Sequence, residues 1–214
     1  MITKKHIFNE IALGIEENLR DVGFKYRKSD GRILRRYSGG FDVILLTVLD
    51  YGILFQTEMF FAIRFDKVED TINKFIPNRN PAYMKYTETL GTSYMVLSGS
   101  KENHIEIKTQ EELNKTINDL IILIKTKGLE YFEKYRNIEV VNALKKKQIL
   151  TENNSINYVI SNLMQSLTLL KLCNDPDFDK LCIKYKELYI PFAGDEESGR
   201  KAMDDLIEYL KGLN

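Results

Sequence analysis

Residues Phe41–Phe65, FDVILLTVLDYGILFQTEMFFAIRF, form the most hydrophobic stretch of the chain, and their reading decides the fold. A membrane-spanning helix needs about twenty predominantly apolar residues with few charges. Here Asp42, Asp50, Gln56, Glu58 and Arg64 interrupt the run, and Gly52 breaks it near its middle. A charge at the bilayer centre costs at least about 2.5 kcal/mol. The second half instead has the period of a strand. Phe55, Thr57, Met59, Phe61, Ile63 and Phe65, preceded by Ile53, fall on one face. Leu54, Gln56, Glu58, Phe60, Ala62 and Arg64 fall on the other. Alternation of that kind predicts a half-buried strand. The first half is apolar on both faces, as expected of a central strand. Gly52 supplies the positive φ of a tight turn. The turn pairs Asp50 with Ile53 if its loop has two residues, or Leu49 with Ile53 if it has three. The choice sets which face of the first strand is core.

Working outward, Thr3 to Val22 reads as a helix with Thr3 as N-cap. Ile7, Ile11, Ile15, Leu19 and Val22 make its apolar stripe, and Gly23 stops it. Phe24–Lys28 and Arg32–Tyr37 read as short strands around the Ser29-Asp30-Gly31 turn. Tight connections between successive strands favour an antiparallel meander. Downstream, Val68–Ile76 suggests a short helix, and Pro77–Pro81 is irregular. Tyr94–Leu97 and Ile105–Lys108 are further strand candidates. Thr109 and Glu112 form a capping box that opens a helix through Ile124, with Gly128 as its stop. Leu129–Tyr135 and Ile138–Lys147 are helical. Three helices follow, Ile156–Cys173, Pro176–Tyr189 and Glu196–Leu213, with Asp175 and Pro176 in N-cap and first-turn positions.

The expected fold is therefore α+β. An N-terminal helix packs on a mostly antiparallel sheet of about five to six strands, and an all-helical C-terminal part follows. The polar segment Lys145–Ser155, with its Lys-Lys-Lys run and Asn153-Asn154, is the expected boundary. It divides an α+β domain, residues 1–147, from a helical extension, residues 148–214, docked on it. A three-helix segment of that size does not readily form a core of its own.

Composition narrows the function classes. The chain has 214 residues, 43% hydrophobic and 29% charged, with 31 basic and 31 acidic side chains. A net charge of zero disfavours nucleic acid as the main partner. The first residues have no uninterrupted apolar core or small-residue cleavage site, so they do not read as a signal peptide. The two cysteines imply no disulfide framework, and a cytoplasmic location fits them.

The helix ending at Gly23-Phe24-Lys25, the basic strand at Arg35-Arg36-Tyr37, the apolar hairpin, and Gly128-Leu129-Glu130-Tyr131-Phe132-Glu133-Lys134-Tyr135 together resemble a bacterial family known as domain of unknown function 4304. The resemblance spans roughly residues 1–145. It implies an α+β fold and brings no catalytic residues or substrate with it.

Candidate chemistry is sparse. Lys25, Arg27, Lys28, Arg32, Arg35 and Arg36 cluster around a single Asp30. They can hold a phosphate or an acidic partner, or simply solvate and protect a strand edge. Gln56, Glu58 and Arg64 share one strand face and, with Arg35, are the candidate ligand- or partner-binding residues. Ordinary cross-strand pairing on an open sheet is the plainer reading of them. His6 and His104 have no ligand-like spacing, no phosphate-loop or metal motif occurs, and neither cysteine has an evident base. No catalytic residue, metal or cofactor is expected. The expected function is a non-catalytic binding or protein-interaction module, with a protein partner or self-association and no membrane. The alternative is an enzyme acting on a phosphate-bearing or nucleotide substrate at the polar sheet face.

Overall fold

A computed structural model describes residues 2–76, 79–151, 160–188 and 196–213. The expected Pro77-Asn78 irregular segment, the Asn153–Ser155 boundary, the start of the Ile156 helix and Tyr189 lie outside the described residues. Two compact units emerge. The first comprises residues 1–64 and 90–134; the second comprises residues 65–89 and 135–214. The division is discontinuous in sequence and differs from a single cut at residue 147. That position lies inside a helix, Ile138–Thr151, in which Lys145 is buried. Among the described residues no helix is long and apolar enough to cross a membrane.

The first unit opens with α1 (Lys4–Leu19). The Thr3 side chain accepts the His6 N–H, as its N-cap position predicts. Ile7, Ile11, Ile15 and Leu19 are all buried. Gly23 takes a φ of 92°, and the Phe24 N–H closes onto the Leu19 carbonyl. Four strands follow: β1 (Lys25–Arg27), β2 (Arg32–Tyr37), β3 (Gly40–Asp50) and β4 (Phe55–Phe65). They pair in sequence order, and β5 (Leu90–Ser93) and β6 (His104–Ile107) both pair antiparallel with β4. This six-stranded sheet is the α+β architecture expected from the sequence.

The hairpin turn differs from both sequence alternatives. The Tyr51 N–H donates to the Leu54 carbonyl, so Gly52 and Ile53 occupy the turn. The Asp50 side chain accepts the Gly52 N–H at 2.9 Å, and Gly52 has a φ of 78°. That local bond fixes the turn one position beyond the first alternative. Ile53 is consequently 87% exposed rather than part of the greasy face. From Phe55 to Phe61 burial alternates as expected, with Phe55, Thr57, Met59 and Phe61 buried; from Phe61 to Phe65 every residue is buried, Ala62 and Arg64 included.

The core face of the sheet is closed by helices. α1 packs against β3 and against α5 (Gln110–Leu123), whose capping box between Thr109 and Glu112 is present. The helix does not stop at Gly128. A single π-helical turn, Ile124–Gly128, leads directly into α6 (Leu129–Tyr135). Gly128 is there for proximity: a Cβ would sit 3.2 Å from the Phe61 ring. Phe61, Phe24 and Phe132 form a tilted aromatic cluster beneath it. The expected strand at Tyr94–Leu97 is instead a short helix, α4 (Tyr94–Ser98). The Ser93 hydroxyl caps its start and Gly99, at a φ of 75°, ends it. The strand lies just before it, in β5, where Gly91 faces Ala62 across the ladder.

The second unit holds α2 (Asp66–Ile72), the short α3 (Pro81–Met84), α7 (Ile138–Thr151), α8 (Ile160–Leu172), α9 (Phe178–Leu188) and α10 (Glu196–Lys211). α8 is its centre, packing against α2, α7, α9 and α10. Leu163, Met164, Leu167 and Leu170 of α8 join Tyr185, Met203 and Leu206 in one buried cluster.

Gly40 sets the tightest constraint on the sheet, because a Cβ there would overlap the Arg64 carbonyl oxygen. Gly39, at a φ of 93°, has open space around it. Gly40→Ala should cost about 2–3 kcal/mol through overpacking. Gly39→Ala should cost about 1 kcal/mol through backbone conformation alone. Urea unfolding followed by aromatic fluorescence reads both; equal costs would mean that the β3–β4 packing is not as described.

Candidate functional site

Strand alternation puts Gln56, Glu58, Phe60, Ala62 and Arg64 on the sheet face opposite the helices. One end of this face is closed. Leu34, Phe41, Val43 and Ala62 form a small buried cluster. The guanidiniums of Arg36 and Arg64 lie 5.7 Å and 5.9 Å from the Phe41 ring centre, each a cation–π contact. The other end is open: Thr47 is exposed, Phe60 is 40% exposed, and Gln56 and Glu58 are half-buried. Arg64 and Glu58 thus sit at opposite ends of the strand. Six residues at a strand's rise separate them by roughly 20 Å. The structure therefore brings Gln56 and Glu58 together and leaves Arg64 apart.

The pairing register supplies Glu58 with a neighbour that sequence spacing did not show. His104 on β6 stands directly opposite Glu58, and Glu106 opposite Gln56. Directly paired side chains have their Cβ atoms about 5 Å apart. A concavity of about 180 Å³ beside them is lined by Leu45, Thr47, Glu58, Met59, Phe60 and Asn103. Among the described residues, however, no group of three or more His, Cys, Asp or Glu is placed to hold a metal.

Arg35 lies on the core face, away from the other three candidates. Its Nε donates to Asp42 Oδ2 at 2.8 Å, and its Nη2 donates to Glu133 Oε1 at 3.1 Å. The guanidinium stacks 4.9 Å from the Phe24 ring centre and 5.8 Å from that of Phe132. Asp42 is fully buried. This pair is a core contact, in which removing either partner would strand the other charge in a desolvated setting.

The basic cluster divides in the same way. Arg27 forms an ion pair with Asp30, and Arg32 lies 3.9 Å from the same carboxylate. Lys25 and Arg36 are exposed, and neither makes an ion pair among the described residues. Together with Gly23, Tyr26, Arg27 and Leu34 they line a groove of about 530 Å³. No carboxylate, imidazole or thiol is among these lining residues. The edge strand beneath the groove is partly capped, since the Tyr26 N–H donates to Glu16 Oε1 at 3.1 Å.

The second unit carries a different polar feature. Lys145 Nζ donates to Gln165 Oε1 at 2.7 Å. Gln165 Nε2 donates to Glu69 Oε1 at 2.8 Å and to the Glu88 carbonyl at 2.9 Å. The Thr89 hydroxyl donates to the same Glu69 oxygen and accepts the Phe65 N–H. Every side chain in this chain of bonds is buried. Glu69 Oε2 has no hydrogen-bond partner among the described residues. Burial pulls the Lys145 ammonium down to about 8, with the Glu69 charge opposing that shift. The two cysteines offer no nucleophile, because burial raises both thiols and Cys182 is packed in the core.

No family model, curated protein or solved structure matches this chain.

The Lys145 shift fixes a sign. Unfolded, Lys145 keeps its proton up to the ordinary lysine value of 10.5; folded, it releases it near 8. Between those values the unfolded chain binds more protons, so stability rises with pH there and is insensitive to this group below 8. The unfolding midpoint of the wild type should therefore climb relative to Lys145→Met between pH 8 and pH 10. A constant difference across that range would show that Lys145 is not desolvated.

Proposed function

We propose that this chain is a non-catalytic protein-interaction module that binds through the helix-free face of its sheet. The observation that carries this reading is the pair of exposed cations, Lys25 and Arg36, neither ion-paired among the described residues, in a groove of about 530 Å³. Arg27, Arg32 and Arg35 of the same strands are each set against a carboxylate. A concave, cationic surface whose lining holds no carboxylate, imidazole or thiol supports binding rather than chemistry. The partner is a protein, and a second copy of the chain is included in that class. Kinship with the family of domain of unknown function 4304 and a cytoplasmic setting belong to the same proposal.

The second reading is an enzyme acting on a phosphate-bearing or nucleotide substrate. Glu58 opposite His104, beside a concavity, favours it. Against it stands the roughly 20 Å between Glu58 and Arg64 along the strand, which leaves no arginine of that strand beside the carboxylate.

A photo-reactive side chain in place of Lys25, introduced into the full chain in cells that make it, tests the binding reading. A discrete polypeptide adduct is expected, and Arg36→Glu should suppress it. An adduct with a second copy identifies self-association. If Lys25 gives no more adduct than Ile183, an exposed position on α9, the reading is wrong. Hydrolysis of a simple phosphate ester that is lost in both Glu58→Gln and His104→Asn would establish the enzyme instead.

A further inference from the structure

We infer that the β1–β2 groove takes an extended acidic segment of a partner protein, with carboxylates on alternate residues meeting Lys25 and Arg36. This rests on the interaction reading above and specifies what is recognised. The pairing register carries it. Lys25 stands opposite Leu34, and Arg36 lies two residues beyond Leu34 on the same face. That diagonal sets the strand positions from which the two cations extend about 7–8 Å apart. Residues i and i+2 of an extended peptide project to one side about 7 Å apart. Two carboxylates with one residue between them therefore match the two cations, and the intervening side chain points away from the groove. Leu34 forms the apolar floor between them. Arg27 contributes its stem to the wall while Asp30 holds its charge.

The occupant does not add a strand to the sheet. β1 has three residues, and the N–H at its centre is spent on Glu16. Recognition therefore runs through side chains across the face rather than through main-chain pairing at the edge. Nucleic acid fits less well. The Tyr26 ring leans against Phe8, at a centroid distance of 6.2 Å, which leaves less of it for a base to stack on. Two exposed cations also release few counterions. Arg36 is presented for its role, because its guanidinium rests on the Phe41 ring with its remaining donors free to meet a carboxylate.

Two labelled six-residue peptides test the spacing on the full chain: one alternating glutamate with serine, and one of the same composition with glutamates at positions 1, 2 and 5, so that no two are separated by a single residue. Fluorescence anisotropy in dilute buffer should show tighter binding of the alternating peptide. Lys25→Glu and Arg36→Glu should each weaken it about five-fold, the upper range for an exposed charge pair. Lys28→Glu, outside the groove, should weaken it less, and added salt should weaken it in every case. Circular dichroism melting confirms that these exposed substitutions leave the fold intact. Equal affinity for the two peptides overturns the proposal, as does tighter binding of a six-nucleotide oligothymidylate. If neither peptide binds, a random-peptide display selection on the full chain separates the two levels. Binders lacking alternate acids leave the interaction reading standing and remove this motif, whereas a selection that enriches nothing removes both.

Discussion

The pleat of β4 turns neighbouring side chains to opposite sides, and the first unit is arranged around that alternation. Phe61 goes inward, where it meets Phe132 and lies so near position 128 that a Cβ there would sit 3.2 Å from its ring. Phe60, one residue earlier, faces outward and remains 40% exposed. The same alternation on β2 sends Arg35 to the core, where Asp42 and two aromatic rings receive it, and Arg36 to the groove. A single geometric rule thus separates a structural arginine from one exposed on the other face. The burial of Asp42 makes the inward arrangement expensive to undo, so the outward placement of Arg36 is equally well fixed.

Much of this was legible from the sequence because it depends on local chemistry. The Thr3 and Thr109 caps, the isoleucine stripe of α1, the left-handed Gly23 and the alternation of β4 involve residues within a few positions of one another. The opposite facing of Arg35 and Arg36 was also implicit in the period of a strand, although charge content alone grouped them. What escaped was decided by contacts distant in sequence or by one side chain. Nothing near Gly128 announces that it serves Phe61 rather than ending a helix. Tyr94–Ser98 has the composition of a strand, yet the Ser93 hydroxyl and Gly99 make it helical. His104 becomes the neighbour of Glu58 only through the β4–β6 register.

The second unit shows the same limit more sharply. Lys145 begins a run of three lysines that reads as a solvated linker. One of the three is turned inward and bonded to Gln165, which links it to Glu69. Lys146 is turned elsewhere, to Asp175 and Asp177. A charge run carries no mark of which member will be buried, since that depends on an amide and a carboxylate on other helices. The amide of Gln165, donating to the anion and accepting from the cation, lets two buried charges share one polar chain without direct contact. That chain is a structural element of the helical unit, and no groove opens onto it among the described cavities.

The central claim is that one face of the long hairpin is sealed core while the other, closed at its Phe41–Arg64 end, is exposed around Thr47 and Phe60. Fluorophenylalanine placed singly at position 60 or 61 of the full chain, with a soluble gadolinium chelate added, measures it directly by fluorine NMR. The account predicts strong broadening of the signal at Phe60 and none at Phe61. Equal broadening at the two positions, or broadening at Phe61 alone, would contradict it.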